Sequence, residues 1–295
     1  MNEYASLSEL RTFMSLASAE VSDDAELRNI LTRSSRSIDR YTRRHFYPRR
    51  YGGTNTLKYD IPDNGLTLNV GNIDLLEVKG LSDLNGASVI GAGAYWLKAG
   101  DNWNISPYDR IVLSDSAGSV FSFSGTTQRA VHVDAIAGYR EDYGYAWVNS
   151  GASLTDILPA ATTIASVSAS GAANSEGISP RFKQSQILRI GTGASEEFLY
   201  IQDTVNSSRI NVIRGINGTS DIAHAASTSI FTWQPEYDIE ESVVELAAFA
   251  YQKAKSPFTN RVSILSLGVI EHPEAWPEKT IERLQRYKKD EIYAL

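Results

Sequence analysis

Ile187-Leu-Arg-Ile190, Gly191-Thr-Gly-Ala-Ser195 and Glu197-Phe-Leu-Tyr-Ile201 read in succession as strand, turn and strand. Arg209-Ile-Asn-Val-Ile213 reads as a third strand, Asn217-Gly218 as a hairpin-type turn, and Ser229-Ile-Phe-Thr-Trp233 as the last strand of this region. The glycine-rich run has no Gly-Lys-Ser/Thr ending and sits between strands, so it is a turn and not a phosphate loop. Glu196 and Glu197 are neighbours in a strand and project to opposite faces, so spacing does not make them a catalytic pair.

Upstream, short β-rich runs recur between about Leu57 and Gly138. They are Leu66-Thr-Leu-Asn-Val70, Leu75-Leu-Glu-Val-Lys79, Arg110-Ile-Val-Leu113, Val120-Phe-Ser-Phe123 and Ala130 to Ile136. Pro62-Asp-Asn-Gly65 punctuates them as a turn. Such spacing suggests a sandwich or barrel-like module.

The two ends of the chain read as helical. Ser6 with Glu9 forms a capping-box pattern, and Ser22-Asp-Asp24 offers a second start with acids in the first turn. Leu27, Ile30, Leu31, Ser34, Ile38 and Tyr41 trace one helix face, and Pro48 stops the element. After Pro235, the residues Ile239, Val243, Leu246, Ala247, Ala250 and Tyr251 form another apolar stripe. Residues beyond Pro257 read as a loop, and a charged helix is expected from about Pro277 to Tyr293. The resulting expectation is an α+β fold: a helical bundle formed by the N- and C-terminal segments, with one or two inserted β-sandwich or barrel-like modules. Its parts would be 1–52 plus 236–295, then 53–149, then 150–235.

Composition narrows the chemistry. The 295 residues include no cysteine, which excludes disulfides, thiolate catalysis and zinc–cysteine sites. The longest apolar runs, such as Val243 to Ala250, are too short to span a bilayer. The N-terminus lacks the basic start and apolar core of a secretory signal, so a soluble protein made in the cytosol is expected. His45, His132, His224 and His272 are widely separated, with no His-Glu-x-x-His context, so no metal is expected. No Gly-x-Ser-x-Gly elbow appears and no nucleophile–base–orienter set can be assembled, so neither an enzyme nor a cofactor is expected.

Charge is uneven. Between Arg28 and Arg50 stand eight arginines against one acid, Asp39, a net of +7. The total is −7, so the rest of the chain carries −14. Arg33, Arg36, Arg40 and Arg43 fall opposite the apolar helix face. Their excess over acids is too large for pairing within the helix. The face would meet DNA phosphates, or an acidic protein surface through Arg–carboxylate pairs, or it would be solvated and paired with the acidic remainder.

The segment Ser34-Ser-Arg-Ser-Ile-Asp-Arg-Tyr-Thr-Arg-Arg-His-Phe-Tyr-Pro48 resembles the head–tail connector (adaptor) proteins of tailed bacteriophages. The family pattern, roughly A-S-x-x-I-D-x-Y-x-x-R-x-F-x-P, is matched at Ser35, Ile38, Asp39, Tyr41, Arg44, Phe46 and Pro48. The late helix and the Leu267-Gly-Val-Ile270 stretch are similar to the family's C-terminal half. Arg214-Gly-Ile-Asn-Gly-Thr219, with His224 beyond, resembles a β-module pattern of phage neck and tail proteins that simple connectors lack.

The resemblance implies a non-enzymatic virion protein of the phage neck, made in the host cytoplasm. It would form a ring, usually twelve-fold, docked on the portal protein. It would offer a platform to a tail or tail-completion protein and line the exit channel of packaged DNA, with no membrane partner. Arg33, Arg36, Arg40, Arg43 and Arg44 would face portal or DNA. Ile38, Asp39, Tyr41, Phe46 and Pro48 would serve packing, and Ile292, Tyr293 and Leu295 would insert into the portal. The alternative is a carbohydrate- or receptor-binding β protein of the phage tail. Its platforms would be the aromatic loop Gly138 to Tyr145 and Trp96, Trp103 and Trp147.

Overall fold

The computed structural model describes residues 1–16, 21–100, 102–103, 106–114, 120–168, 170–255, 261–264, 268–271 and 276–289. These contain the helices α1 (Leu7–Phe13), α2 (Asp24–Thr42), α3 (Tyr237–Lys255) and α4 (Glu278–Gln285). The first strands are β1 (Arg49–Tyr51), β2 (Leu57–Tyr59), β3 (Thr67–Asn69), β4 (Leu75–Asp83), β5 (Ser88–Val89), β6 (Tyr95–Ala99), β7 (Asn102–Trp103), β8 (Arg110–Leu113) and β9 (Val131–Ala137). Then follow β10 (Trp147–Ser153), β11 (Ile164–Ser166), β12 (Ile187–Ile190), β13 (Glu197–Asn206), β14 (Arg209–Ile213), β15 (Ser229–Trp233), β16 (Arg261–Ile264) and β17 (Gly268–Glu271).

The expected helical bundle with inserted β modules is corrected here: the chain is mostly β. Its antiparallel sheets have five, four and six strands, beside a two-stranded hairpin, against four helices among the described residues. The physical reason lies in where apolar side chains go. α1 and α4 are only 7 and 8 residues long, about two turns each, too short to organise a bundle. Three apolar clusters, by contrast, are built mainly from strand residues.

One compact unit comprises residues 1–44, 183–186 and 235–295. The capping box forms as expected, with the Glu9 N–H donating to Ser6 Oγ at 3.2 Å and the Ser6 N–H to Glu9 Oε2 at 2.7 Å. Asp23 precedes α2 but does not cap it with its side chain. Its carboxylate instead receives the Tyr251 hydroxyl and pairs with Lys255 at 2.9 Å. α2 ends at Thr42, before Pro48, because Arg43 turns left-handed at φ 59°. α2 and α3 bury their facing stripes, Leu27, Ile30, Leu31 and Ile38 against Ile239, Val243, Leu246 and Ala247. α4 joins them through Arg283, paired with Glu241 and Glu245. The stretch expected as a loop after α3 carries the β16–β17 hairpin.

The other unit comprises residues 45–182 and 187–234. The five-stranded sheet has the order β1-β9-β4-β5, with β2 also on β9, and the four-stranded sheet the order β3-β8-β6-β7. Leu68, Ile111 and Leu113 pack with Leu81, Val131 and Val133 in the core the two share. The six-stranded sheet has the order β10-β15-β12-β13-β14-β11. Alternate residues of its strands, among them Leu188, Ile190, Leu199, Ile201, Ile210 and Val212, meet in one cluster. On another cluster Leu76 and Ile136 of the first sheet meet Trp147, Phe198 and Trp233 of the third. The expected strand at Val120–Phe123 pairs in no sheet; Phe121 fixes this irregular segment by filling the first core.

Candidate interaction surface

The tertiary structure divides the arginines of α2 and the turn after it. Arg28, Arg33, Arg40 and Arg43 are exposed. Arg36 is turned inward: it pairs with Asp39 at 2.9 Å, donates to the Asn2 carbonyl, and lies 5.4 Å over the Tyr4 ring. Arg44 donates through Nε to the Tyr287 carbonyl at 2.7 Å. Two of the five arginines expected to face a partner therefore hold their own unit together. A long apolar stem with a planar five-donor head suits this bracing role.

Other cations join the exposed ones. Lys288 lies 5.7 Å from the Tyr41 ring, which also meets Trp276 at 5.6 Å. The Lys289 N–H donates to the Thr42 carbonyl at 2.9 Å, so the residues after α4 close on the end of α2. Between α2 and α3 runs a groove of about 580 Å³, lined by Arg33 and Lys253 together with Ile30, Leu246 and Phe249. Arg33 and Lys253 make it positive at two points, Glu26 adds one negative charge, and its walls are partly apolar, which fits an amphipathic partner of mixed charge. Sequence spacing could not place Lys253 and Lys288 beside α2, since long-range packing brings them there.

The residues of the family-like pattern serve packing in two units. Ile38 is fully buried and Asp39 nearly so, taking the Tyr4 hydroxyl as well as Arg36. Phe46 is also fully buried, edge-on to Tyr139 at 5.6 Å, while its carbonyl accepts from Trp233 Nε1 at 3.0 Å. Pro48 is buried. Ile292, Tyr293 and Leu295 lie outside the described residues.

The second pattern, Arg214 to Thr219 with His224, closes around a buried carboxylate. Glu197 accepts from Arg214 Nε and Nη2 at 2.6 Å each, from the Gly215 N–H at 2.9 Å, and meets His224 Nε2 at 2.9 Å. Burial pushes its acidity down, but the hydrogen bonds from Arg214, His224 and Gly215 outweigh that and hold its pKa below the usual carboxylate range. Arg214 also ties the Pro159 and Ile222 carbonyls. With Glu197, Arg214 and His224 all nearly solvent-free, the cluster braces the turn.

Glu196 points the other way and faces Lys79 at 3.3 Å, Arg50 at 3.8 Å and Arg189 at 3.9 Å. Arg189 lies between the Trp147 and Phe231 rings, 4.8 and 5.0 Å from their centres. Trp147 is thus a core residue, only 8% exposed, whereas Trp96 is 51% exposed; the Trp103 side chain lies outside the described residues. Among the described residues, no group of three or more histidines or carboxylates stands close enough to hold a metal. No described helix is long and apolar enough to cross a membrane. Comparison with protein-family models, curated proteins and solved structures found no match.

Proposed function

We propose that the chain is a structural virion protein of a tailed-phage neck, a head–tail connector. It assembles as a ring on the portal, presents a platform to the tail and surrounds the DNA exit path. The observation that carries this reading is the outward set of cations on α2 and the turn after it, Arg28, Arg33, Arg40 and Arg43, in a chain whose other parts are strongly acidic. A surface of this kind suits repeated weak contacts that ring symmetry multiplies. The groove beside Arg33 supports portal protein as the partner over DNA, because its Leu246 and Phe249 walls have no counterpart in a phosphate backbone.

The test is particle mass and negative-stain imaging of the chain mixed with portal rings from the same virus. The reading expects rings that add to portals, and loss of that addition in the double variant Arg33→Glu, Arg40→Glu. A chain that stays monomeric and ignores portals overturns it, and a glycan screen then tests the carbohydrate- or receptor-binding alternative, for which Trp96 and Tyr145 of the aromatic loop are exposed.

A further inference from the structure

We propose that the cleft beside β1 is a binding site for a phosphate group. The cleft has a volume of about 280 Å³ and is lined by residues 47, 49–51 and 55 together with Asn217 and Gly218. β1 is an edge strand, paired with β9 alone. Arg49 and Tyr51 project to one face of it, with the exposed Arg49 guanidinium 5.1 Å from the Tyr51 ring. Arg50 is turned the other way, toward Glu196 at 3.8 Å, so Arg49 supplies the charge of the cleft. The lining holds guanidinium, phenol and carboxamide groups, with no carboxylate and no aliphatic side chain. In a chain with 35 acids against 28 lysines and arginines, such a donor-rich lining matches an anion whose oxygens only accept hydrogen bonds.

The Asn217 turn is fixed against β1. The Arg50 N–H donates to the Asn217 carbonyl at 2.7 Å. Gly218, at φ +87°, lies so close that a Cβ there would stand 2.1 Å from the Arg50 carbonyl oxygen. The same turn is pinned from behind by the Glu197–Arg214 pair and by Thr219 Oγ1, which accepts from the Phe198 N–H at 3.0 Å. The backbone that carries Asn217 is therefore already ordered before any ligand arrives, which lowers the entropy cost of binding. This site rests on β1 and the Asn217 turn, not on α2, so failure of portal docking would leave it standing.

The experiment is titration calorimetry of the whole chain with inorganic phosphate and, as a control, acetate. Fluorescence anisotropy with a labelled DNA duplex runs beside it. The variants are Arg49→Gln and Asn217→Asp; aspartate tolerates the left-handed backbone of position 217, and melting curves confirm that each folds. Saturable phosphate binding, weakened tenfold or more in both variants, is expected. If duplex affinity falls in parallel, the phosphate belongs to a nucleic-acid backbone; if it does not change, the ligand is a free phosphate compound. Absence of phosphate binding, equal binding of acetate, or phosphate affinity unchanged in both variants overturns the proposal.

Discussion

Arg214 grips Glu197 through two hydrogen bonds of 2.6 Å at a place where neither side chain is more than 4% exposed. Glu196, the extended residue just before β13, has entirely different partners. The alternation of extended backbone thus assigns two adjacent identical residues to two separate charge clusters.

Replacing Arg214 by Leu leaves the Glu197 carboxylate buried with only His224 and backbone N–H groups. A loss of about 3–5 kcal/mol is expected, the usual cost of breaking one side of a buried pair. Because Glu197 is held below its ordinary range, its contribution is present above its unfolded pKa and disappears as pH falls through the lower folded value. Urea melts at pH 7 and pH 3 check both statements. A variant as stable as the wild type at pH 7 contradicts the first.

Gly218→Ala tests the seat of the turn on β1. The Cβ would meet the Arg50 carbonyl at 2.1 Å, and the φ of +87° is itself unfavourable for alanine. A destabilisation of about 1–3 kcal/mol follows. Gly53→Ala, where no atom lies within 4 Å of the new Cβ, is the comparison: it shares a positive φ but not the clash. Equal melting shifts in the two would show that contact with Arg50 contributes nothing.

Arg36 and Arg40 are one helical turn apart and should behave oppositely. Arg36→Ala removes the Asp39 pair and the Asn2 tie and should lower stability by about 1–2 kcal/mol. Arg40→Glu, on the exposed face, should change it by less than about 0.5 kcal/mol while weakening portal addition in a salt-dependent manner. Thermal melts together with pull-down on portal rings separate the two effects.

Glu240 provides a pH signature within α3. Burial, then the charge of Glu9 and a hydrogen bond with it, push its pKa up to about 8, while Lys183 acts in the opposite sense. A carboxyl whose folded pKa is raised contributes stability that is full below its unfolded value, near 4.5, and is lost as pH rises to about 8. Glu240→Gln, which keeps the neutral form, should match the wild type near pH 4.5. At pH 8.5 it should melt about 2–4 °C higher. Calorimetry at the two pH values decides; a gain of the same size at both would remove the charge explanation.

Local chemistry determined a good deal of this protein from sequence alone. The strands at Arg110–Leu113, Ile187–Ile190, Arg209–Ile213 and Ser229–Trp233 stand at the residues their patterns marked, because β-branched and aromatic runs between turn residues leave few other conformations. The Ser6–Glu9 capping box formed for the same reason, since both partners sit within one helical turn. The excess of arginine before residue 50 was also legible, being simple counting. Tertiary structure decided the rest. Sheet order determined that the chain is mostly β and not a bundle with insertions, and pairing between strands far apart in sequence leaves no periodic trace. Packing determined that Arg36 and Arg44 turn inward while Arg33 and Arg40 stay out, although all four share one local composition. It also brought Glu197, Arg214 and His224 around one buried charge, and set Asn217 against β1. Each of these depends on groups that the fold brings together, most of them tens to hundreds of residues apart in the chain.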